Sequence, residues 1–211
     1  MRGDRNLMSA CRLIFVLMLV NKTLFINQVW SKSNSDMSLH NMVLINNFYI
    51  DKYEYPNQAN EYPIVNVTFS QAESMCNQVG KRLCTEQEWQ QAAAGPESFS
   101  YGYSNTFESG RCNTPILQNS YWKSGKSLAK SGSFSRCFNS YKLFDMIGNA
   151  WEWTNGWYSE YQKWRVVRGG SYFNSANMAR AESRYGQFLH EQFRLDLIGF
   201  RCCLSVRNTN L

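Results

Sequence analysis

Two stretches of the chain carry apolar residues at helical spacing. In "SQAESMCNQVG", Ala72, Met75, Cys76 and Val79 fall at i, i+3, i+4 and i+7, with polar residues between them. That spacing predicts a helix with one buried face. Ser70 and Glu73 read as the capping box that starts it, and Gly80 as its stop. "TEQEWQQAAAGP" repeats the device: Thr85 and Glu88 cap, Trp89, Ala92 and Ala93 form the stripe, and Gly95-Pro96 ends it. Cys76 lies on the first stripe and therefore faces the core.

Elsewhere the period shortens to two. "FYIDKYEY" (Phe48–Tyr55) and "PIVNVTF" (Pro63–Phe69) read as strands. In the second, Val65, Val67 and Phe69 alternate with Asn66 and Thr68, one face buried and one wet. "WRVVRGGSY" and "IGFRCCLSV" predict further short strands near the C-terminal end. Between positions 97 and 140 the patterns fade into Ser, Gly, Asn and Tyr, bracketed by Cys112 and Cys137. A loop that long inside a compact domain needs an anchor, and a Cys112–Cys137 bridge would supply one. The pattern as a whole is that of an α+β domain with two helices, short strands and high loop content.

Composition narrows the class. The chain is 44% hydrophobic, 15% aromatic and 18% charged, enough apolar matter for a real core in one domain of 211 residues. The net charge of +6 is spread thinly, and no basic run tracks a phosphate backbone, which argues against nucleic acid as a partner. Half of that surplus lies in residues 1–31, where Arg2, Arg5, Arg12 and Lys22 oppose Asp4. Arginines ahead of "LIFVLMLV" (Leu13–Val20) read as a signal peptide with cleavage after Ser31. The alternative is an uncleaved N-terminal anchor, the one way this chain would meet a membrane. Residues 32–42, "KSNSDMSLHNM", read as a linker, and 43–207 as the domain.

Cysteine usage agrees with export to a periplasmic or extracellular space. Cys11 falls in the leader, which leaves Cys76, Cys84, Cys112, Cys137, Cys202 and Cys203, an even count that suggests three disulfides. Cys202 and Cys203 are strand neighbours, so they point to opposite faces and take different partners. With no CxxC pair and only His40 and His190, the alternative of a zinc site is not expected.

Five motifs then line up in order: "GKRLCTEQEW" (Gly80–Trp89), "FDMIGNAWEWTNGWY" (Phe144–Tyr158), "RVVRGGSY" (Arg165–Tyr172), "ARAESR" (Ala179–Arg184) and "IGFRC" (Ile198–Cys202). Together they resemble the formylglycine-generating enzyme family, or sulfatase-modifying-factor domain, over roughly residues 43–207. The resemblance implies a variant of the C-type-lectin-like fold. It also implies the pairings Cys76–Cys202, Cys84–Cys203 and Cys112–Cys137.

The resemblance assigns a structural calcium ion to the run around Glu152, a lone carboxylate between Trp151 and Trp153. Its ligands would be the side chains of Asp145 and Glu152 with the carbonyls of Gly148 and Ala150. Calcium takes six to eight oxygens of this kind, and a divalent cation lets a buried Glu stay charged. The alternative is that Glu152 pairs with a core arginine, Arg168 or Arg201. A second family calcium site maps onto Asn113 and the Thr114 carbonyl, but its aspartate has no match in "YWKSGKS".

The same resemblance removes the family's oxidation chemistry. Formylglycine formation uses two cysteines just after "GGSY" to bind copper(I), since soft thiolates suit that metal. Here "GGSYFNSANMARAESR" has Asn174 at the first position, and the second falls near Met178 or Ala179. Two scattered histidines do not make an iron site either, so neither copper nor iron is expected and no catalytic residue is assigned. What remains is the family's substrate-facing groove, which would be lined by Trp151, Ser171, Tyr172 and Asn174, with Phe173 nearby. Aromatics beside short polar groups suit an exported peptide, protein or glycan. Arg180 and Arg184, if helical, would share a face in a salt-bridge network with Glu182. The first expectation is a calcium- and disulfide-stabilised binding or accessory module. The alternative is a cofactor-poor maturation enzyme like those that finish the pyoverdine chromophore. Ligand display, as in retroelement-diversified proteins of this fold, ranks last.

Overall fold

The computed structural model describes residues 39–206 apart from 119–120 and 124–126. The expected leader, anchor and cleavage site lie outside the described residues. From Asn41 the chain forms one compact unit. Its elements are β1 (Met42–Ile45), β2 (Phe48–Asp51), α1 (Phe69–Gln78), β3 (Arg82–Leu83), α2 (Glu86–Ala94), β4 (Ile116–Gln118), β5 (Tyr121–Lys123), β6 (Trp151–Ser159), β7 (Trp164–Arg168), β8 (Arg184–Tyr185), β9 (Ile198–Phe200) and β10 (Cys202–Ser205). They build one sheet of order β1-β2-β10-β3, a second of order β8-β7-β6-β9, and the hairpin β4-β5. Every pairing is antiparallel except β6 with β9. This is the α+β, loop-rich architecture that the pattern predicts.

The second helix follows its sequence closely. Thr85 caps α2, its hydroxyl accepting from Glu88 N while the Glu88 carboxylate accepts from Thr85 N. Trp89, Ala92 and Ala93 are fully buried. The first helix starts two residues earlier than expected. Thr68, not Ser70, is the N-cap, and Gln71, not Glu73, completes the box. Both readings satisfy the capping pattern, and packing decides between them. With Thr68 as cap, buried Val67 and Ala72 occupy the flanking positions of a hydrophobic staple, and Phe69 is buried in the first turn. Val79 falls past the helix end and is exposed.

Pro63–Phe69 is therefore not a strand. Asn66 adopts a left-handed φ of 59°, which breaks the extended run, and its N–H is shared between the Leu195 and Ile198 carbonyls. Phe48–Tyr55 is a strand only as far as Asp51. The longest strand, β6, begins inside the run to which the resemblance assigns the ion. Residues 179–184 do not form a helix. Arg180 reaches Glu182 at 3.7 Å, and Arg184 crosses to Glu86 at 2.7 Å.

Three disulfides tie the layers: Cys76–Cys202, Cys84–Cys203 and Cys112–Cys137. The first two leave opposite faces of β10, one to α1 and one to the residue after β3, as adjacent strand positions require. The third closes the long loop. These are the pairings the family resemblance implies.

Candidate functional site

The site grows from one turn. Asp145, Gly148 and Asn149 all have left-handed φ (56°, 81° and 58°), which folds residues 145–149 tightly before β6 begins. Gly148 has no substitute, because a Cβ there would lie 2.4 Å from the Asn113 carbonyl oxygen and 2.6 Å from Thr114 Cγ2. Asn113 holds the turn from outside: its carbonyl accepts from Asn149 N at 2.8 Å, and its Nδ2 donates to Asn149 Oδ1 at 2.8 Å. Asn113, which the resemblance gave to a second ion together with the Thr114 carbonyl, thus serves the turn. Thr114 Oγ1, buried beside Gly148, has no protein partner.

On one side of the turn lies a carboxyl centre. Glu152 is 1% exposed and forms a fork with Arg201, whose Nη2 donates to Oε1 at 2.7 Å and Nε to Oε2 at 2.8 Å. Trp89 Nε1 donates to Oε2 at 2.5 Å. Of the two arginines weighed for Glu152, the structure uses Arg201. Arg168 sits opposite Glu152 in the β6–β7 register but sends its guanidinium to Glu86 and Gln90 on α2. Arg201 also donates to the carbonyls of Asp51 and Phe144.

Two more carboxyls share this core. Asp145 Oδ2 accepts from Gly132 N at 2.6 Å. Glu54, which the sequence reading missed, is 1% exposed and accepts from Asn149 Nδ2, Ser131 Oγ and Ala150 N. Burial pushes the Asp145 carboxyl up to about 7, with the Glu152 charge adding to the rise against the Gly132 N–H and Arg201. Glu54 is raised well above the usual carboxylate range by burial first, then by Asp145 and Glu152. Three buried carboxyls thus face one guanidinium.

Does this arrangement suit calcium? Among the described residues no three His, Cys, Asp or Glu side chains converge as a ready metal cage. The donors around the turn are nonetheless all oxygen, from carboxyls, carbonyls and a buried hydroxyl, which is calcium chemistry. The surplus of acidic groups is what a divalent cation would neutralise. Asp145, Gly148 and Ala150 are available for that role by position. Glu152 is already committed on both oxygens.

On the other side of the turn lies the groove face. The Asn149 carbonyl accepts from Tyr172 N at 2.9 Å, so the carboxyl centre and the groove share one segment of backbone. Asn174 Oδ1 accepts from Trp151 Nε1 at 2.7 Å and from Ser171 Oγ at 2.6 Å. Three of the four groove residues thus form one closed knot, with Trp151 and Ser171 buried and Asn174 half-buried. Tyr172 is half-buried beside them, and Phe173 is 62% exposed. Two surface hollows, of about 480 and 470 Å³, lie elsewhere, one by Gln71 and Arg194 and the other by Trp157 and His190. Neither is lined by Trp151, Ser171, Tyr172 or Asn174. Phe173 projects its ring from this face, and the partly exposed Tyr185 ring lies 6.2 Å from that of Trp151.

Comparison with known proteins now bears on these features. The model of the sulfatase-modifying factor enzyme 1-like domain matches residues 50–206. The inactive C-alpha-formylglycine-generating enzyme 2 of Bos taurus is 36% identical over 155 residues, which is 67% of this chain and 50% of that protein. The chain therefore spans about half the length of the curated relatives it matches first. Among solved structures, variable protein 1 of Treponema denticola superposes with a TM-score of 0.62 at 18% identity, over 75% of this chain and 84% of that one. PvdO from Pseudomonas aeruginosa does so with a TM-score of 0.59 at 17% identity, over 75% and 80%. At those identities the two structures establish the fold alone.

Proposed function

The chain belongs to the family of sulfatase-modifying factor enzyme 1-like domains, and from that premise we propose that it is an exported binding or accessory module without copper-dependent formylglycine-generating activity. The observation that carries this reading is the Asn174 knot. The resemblance places the first copper thiolate at Asn174. Here an amide oxygen stands there instead, and it is consumed by Trp151 Nε1 and Ser171 Oγ. An amide held by two donors gives copper(I) none of the soft sulfur it selects. Met178, near the second position, is half-buried and offers at most one thioether. The name of the bovine relative, an inactive enzyme, runs the same way.

Export is supported by three disulfides, which persist in oxidising compartments. Among the described residues no helix is long and apolar enough to cross a membrane. Calcium belongs to the same proposal: bound at the turn, it would supply two positive charges to an acid-rich core and fix residues 145–150. Since that turn also anchors Tyr172, the ion would stabilise the binding face from behind.

The partner this face suits is an exported peptide, protein or glycan with a flat apolar element to stack on Phe173. Arrays of peptides and glycans probed with the oxidised protein in calcium are expected to yield a ligand. Its affinity should fall at least about tenfold in Phe173→Ala, a change at an exposed position that leaves the fold intact. A ligand that binds the variant equally well would move the site off this face, and silence on every array would contradict a binding role. Chemical conversion of a bound peptide would instead favour the maturation-enzyme alternative.

A further inference from the structure

The two surface hollows are neighbours, because Gln192 lines both of them. The first is lined by the start of α1, through Ser70, Gln71 and Ser74, and by Arg194 in the segment between β8 and β9. The second lies near the turn of the β6–β7 hairpin and is lined by Trp157, Lys163, His190 and Glu191. Each hollow is of a size that holds a small ligand, for which about 300–1,000 Å³ is usual.

A single stack ties their walls together. The Arg165 guanidinium lies 4.0 Å from the centre of the Phe69 ring and 3.5 Å from that of Trp157. Glu191 Oε1 accepts from both Nε and Nη2 of Arg165. Phe69 belongs to the first turn of α1 and Trp157 to β6, so one guanidinium joins the helix side of the groove to the hairpin side. The Trp157 indole is thereby held in place before any ligand arrives, and stacking on it costs little ordering entropy.

Charge then selects the ligand. Among the described residues Glu191 is the only carboxylate that lines either hollow, and Arg165 neutralises it. Lys163 and Arg194 are exposed, one in each hollow, and neither forms an ion pair among the described residues. The rest of the helix side is hydroxyl and amide, donors and acceptors together, which is what sugar hydroxyls pair with. A stacking ring, paired polar groups and two separated cations match a chain of sugar rings that carries carboxylates at intervals. A densely sulfated polymer would need clustered Lys and Arg, and an acidic peptide would bring no ring face to the indole.

We propose that the hollows on either side of Gln192 form one extended groove for an acidic oligosaccharide of uronic acid rings, with Trp157 stacking on one ring and Lys163 and Arg194 each meeting a carboxylate. This goes beyond the reading of the Phe173 face, which contributes no residue to either hollow, and stands without it.

Calorimetric titration of the oxidised protein with hexagalacturonate tests the groove, beside maltohexaose, a heparin hexasaccharide and hexaglutamate. Hexagalacturonate is expected to bind, more weakly as salt is added, and to exceed each of the other three by about tenfold or more. Lys163→Gln/Arg194→Gln changes two exposed side chains and leaves the core untouched, so it should fold and bind the uronate about tenfold more weakly. Phe173→Ala should bind it as wild type does. Uronate affinity unchanged in the double variant, or lost in Phe173→Ala, overturns the placement of the site. Preference for maltohexaose, heparin or hexaglutamate overturns the ligand class, and a wild type that does not bind the uronate overturns the inference whole, while leaving the Phe173 face to its own test.

Discussion

Removing both bridges that end on β10 is expected to unfold the domain, while removing either one leaves it folded and about 3 kcal/mol less stable. The asymmetry follows from where the bridges land. Cys76–Cys202 and Cys84–Cys203 span sequence separations of 126 and 119 and end on adjacent residues. With one intact, the other closes an effective loop of only roughly ten residues, whose chain-entropy effect is about 2.7 kcal/mol. With neither, the full long loop is released as well, for a total of about 7–8 kcal/mol. That is most of the stability of an ordinary domain. Urea melts of Cys76→Ala/Cys202→Ala, of Cys84→Ala/Cys203→Ala and of the fourfold variant measure the coupling. Loss in the fourfold variant equal to the sum of the other two, with the domain still folded, would show that the bridges act independently.

The core charge balance makes the second large prediction. Arg201 is fully buried and is the counter-charge to an acidic core. Arg201→Met strands Glu152 beside Glu54 and Asp145 and leaves the Asp51 and Phe144 carbonyls without their guanidinium donor. The expected loss is about 3–5 kcal/mol, the usual result of orphaning a buried ion. Glu152→Gln should cost less, about 1–2 kcal/mol. It keeps an acceptor for Trp89, and the remaining carboxyls still compensate Arg201. Melting midpoints read this directly, at roughly 2–4 °C per kcal/mol for a domain of this size. Equal losses, or a worse Glu152→Gln, would mean that the surplus of acid in the core is not felt by the arginine.

What the sequence made legible follows from locality. The Thr85–Glu88 box, the Trp89 stripe and the opposite faces of Cys202 and Cys203 are written in residues at most a few positions apart, and all appear in the structure. The start of α1 was ambiguous because "TFSQAE" spells two overlapping capping boxes, and only the burial of Val67 and Phe69 selects Thr68. β6 was hidden because its first residues share a run with the turn that precedes it, and the left-handed residues there mask where extension begins.

The candidate site divides the same way. The turn 145–150 and the loss of cysteine at Asn174 could be read from motifs. The partner of Glu152 could be narrowed only to two arginines: Arg168 stands opposite it on β7 and Arg201 follows β9 on its other side, and the side-chain directions decide. Glu54 lay beyond reach: its contact with Asn149 spans 95 positions, and "FYIDKYEY" carries no local sign that a glutamate there meets the turn. A surplus of acid in a core is a property of the assembled fold.

The central claim is that Asn174 has replaced the thiolate on which the family's oxidation depends. The most direct measurement is to incubate the oxidised protein with copper(I), oxygen, a reductant and a cysteine-containing sulfatase-type peptide, and to follow the peptide by mass spectrometry. The account predicts a thiol that persists unchanged, with no stoichiometric copper on the protein. Conversion of that cysteine to the aldehyde, abolished by chelating copper, would contradict it.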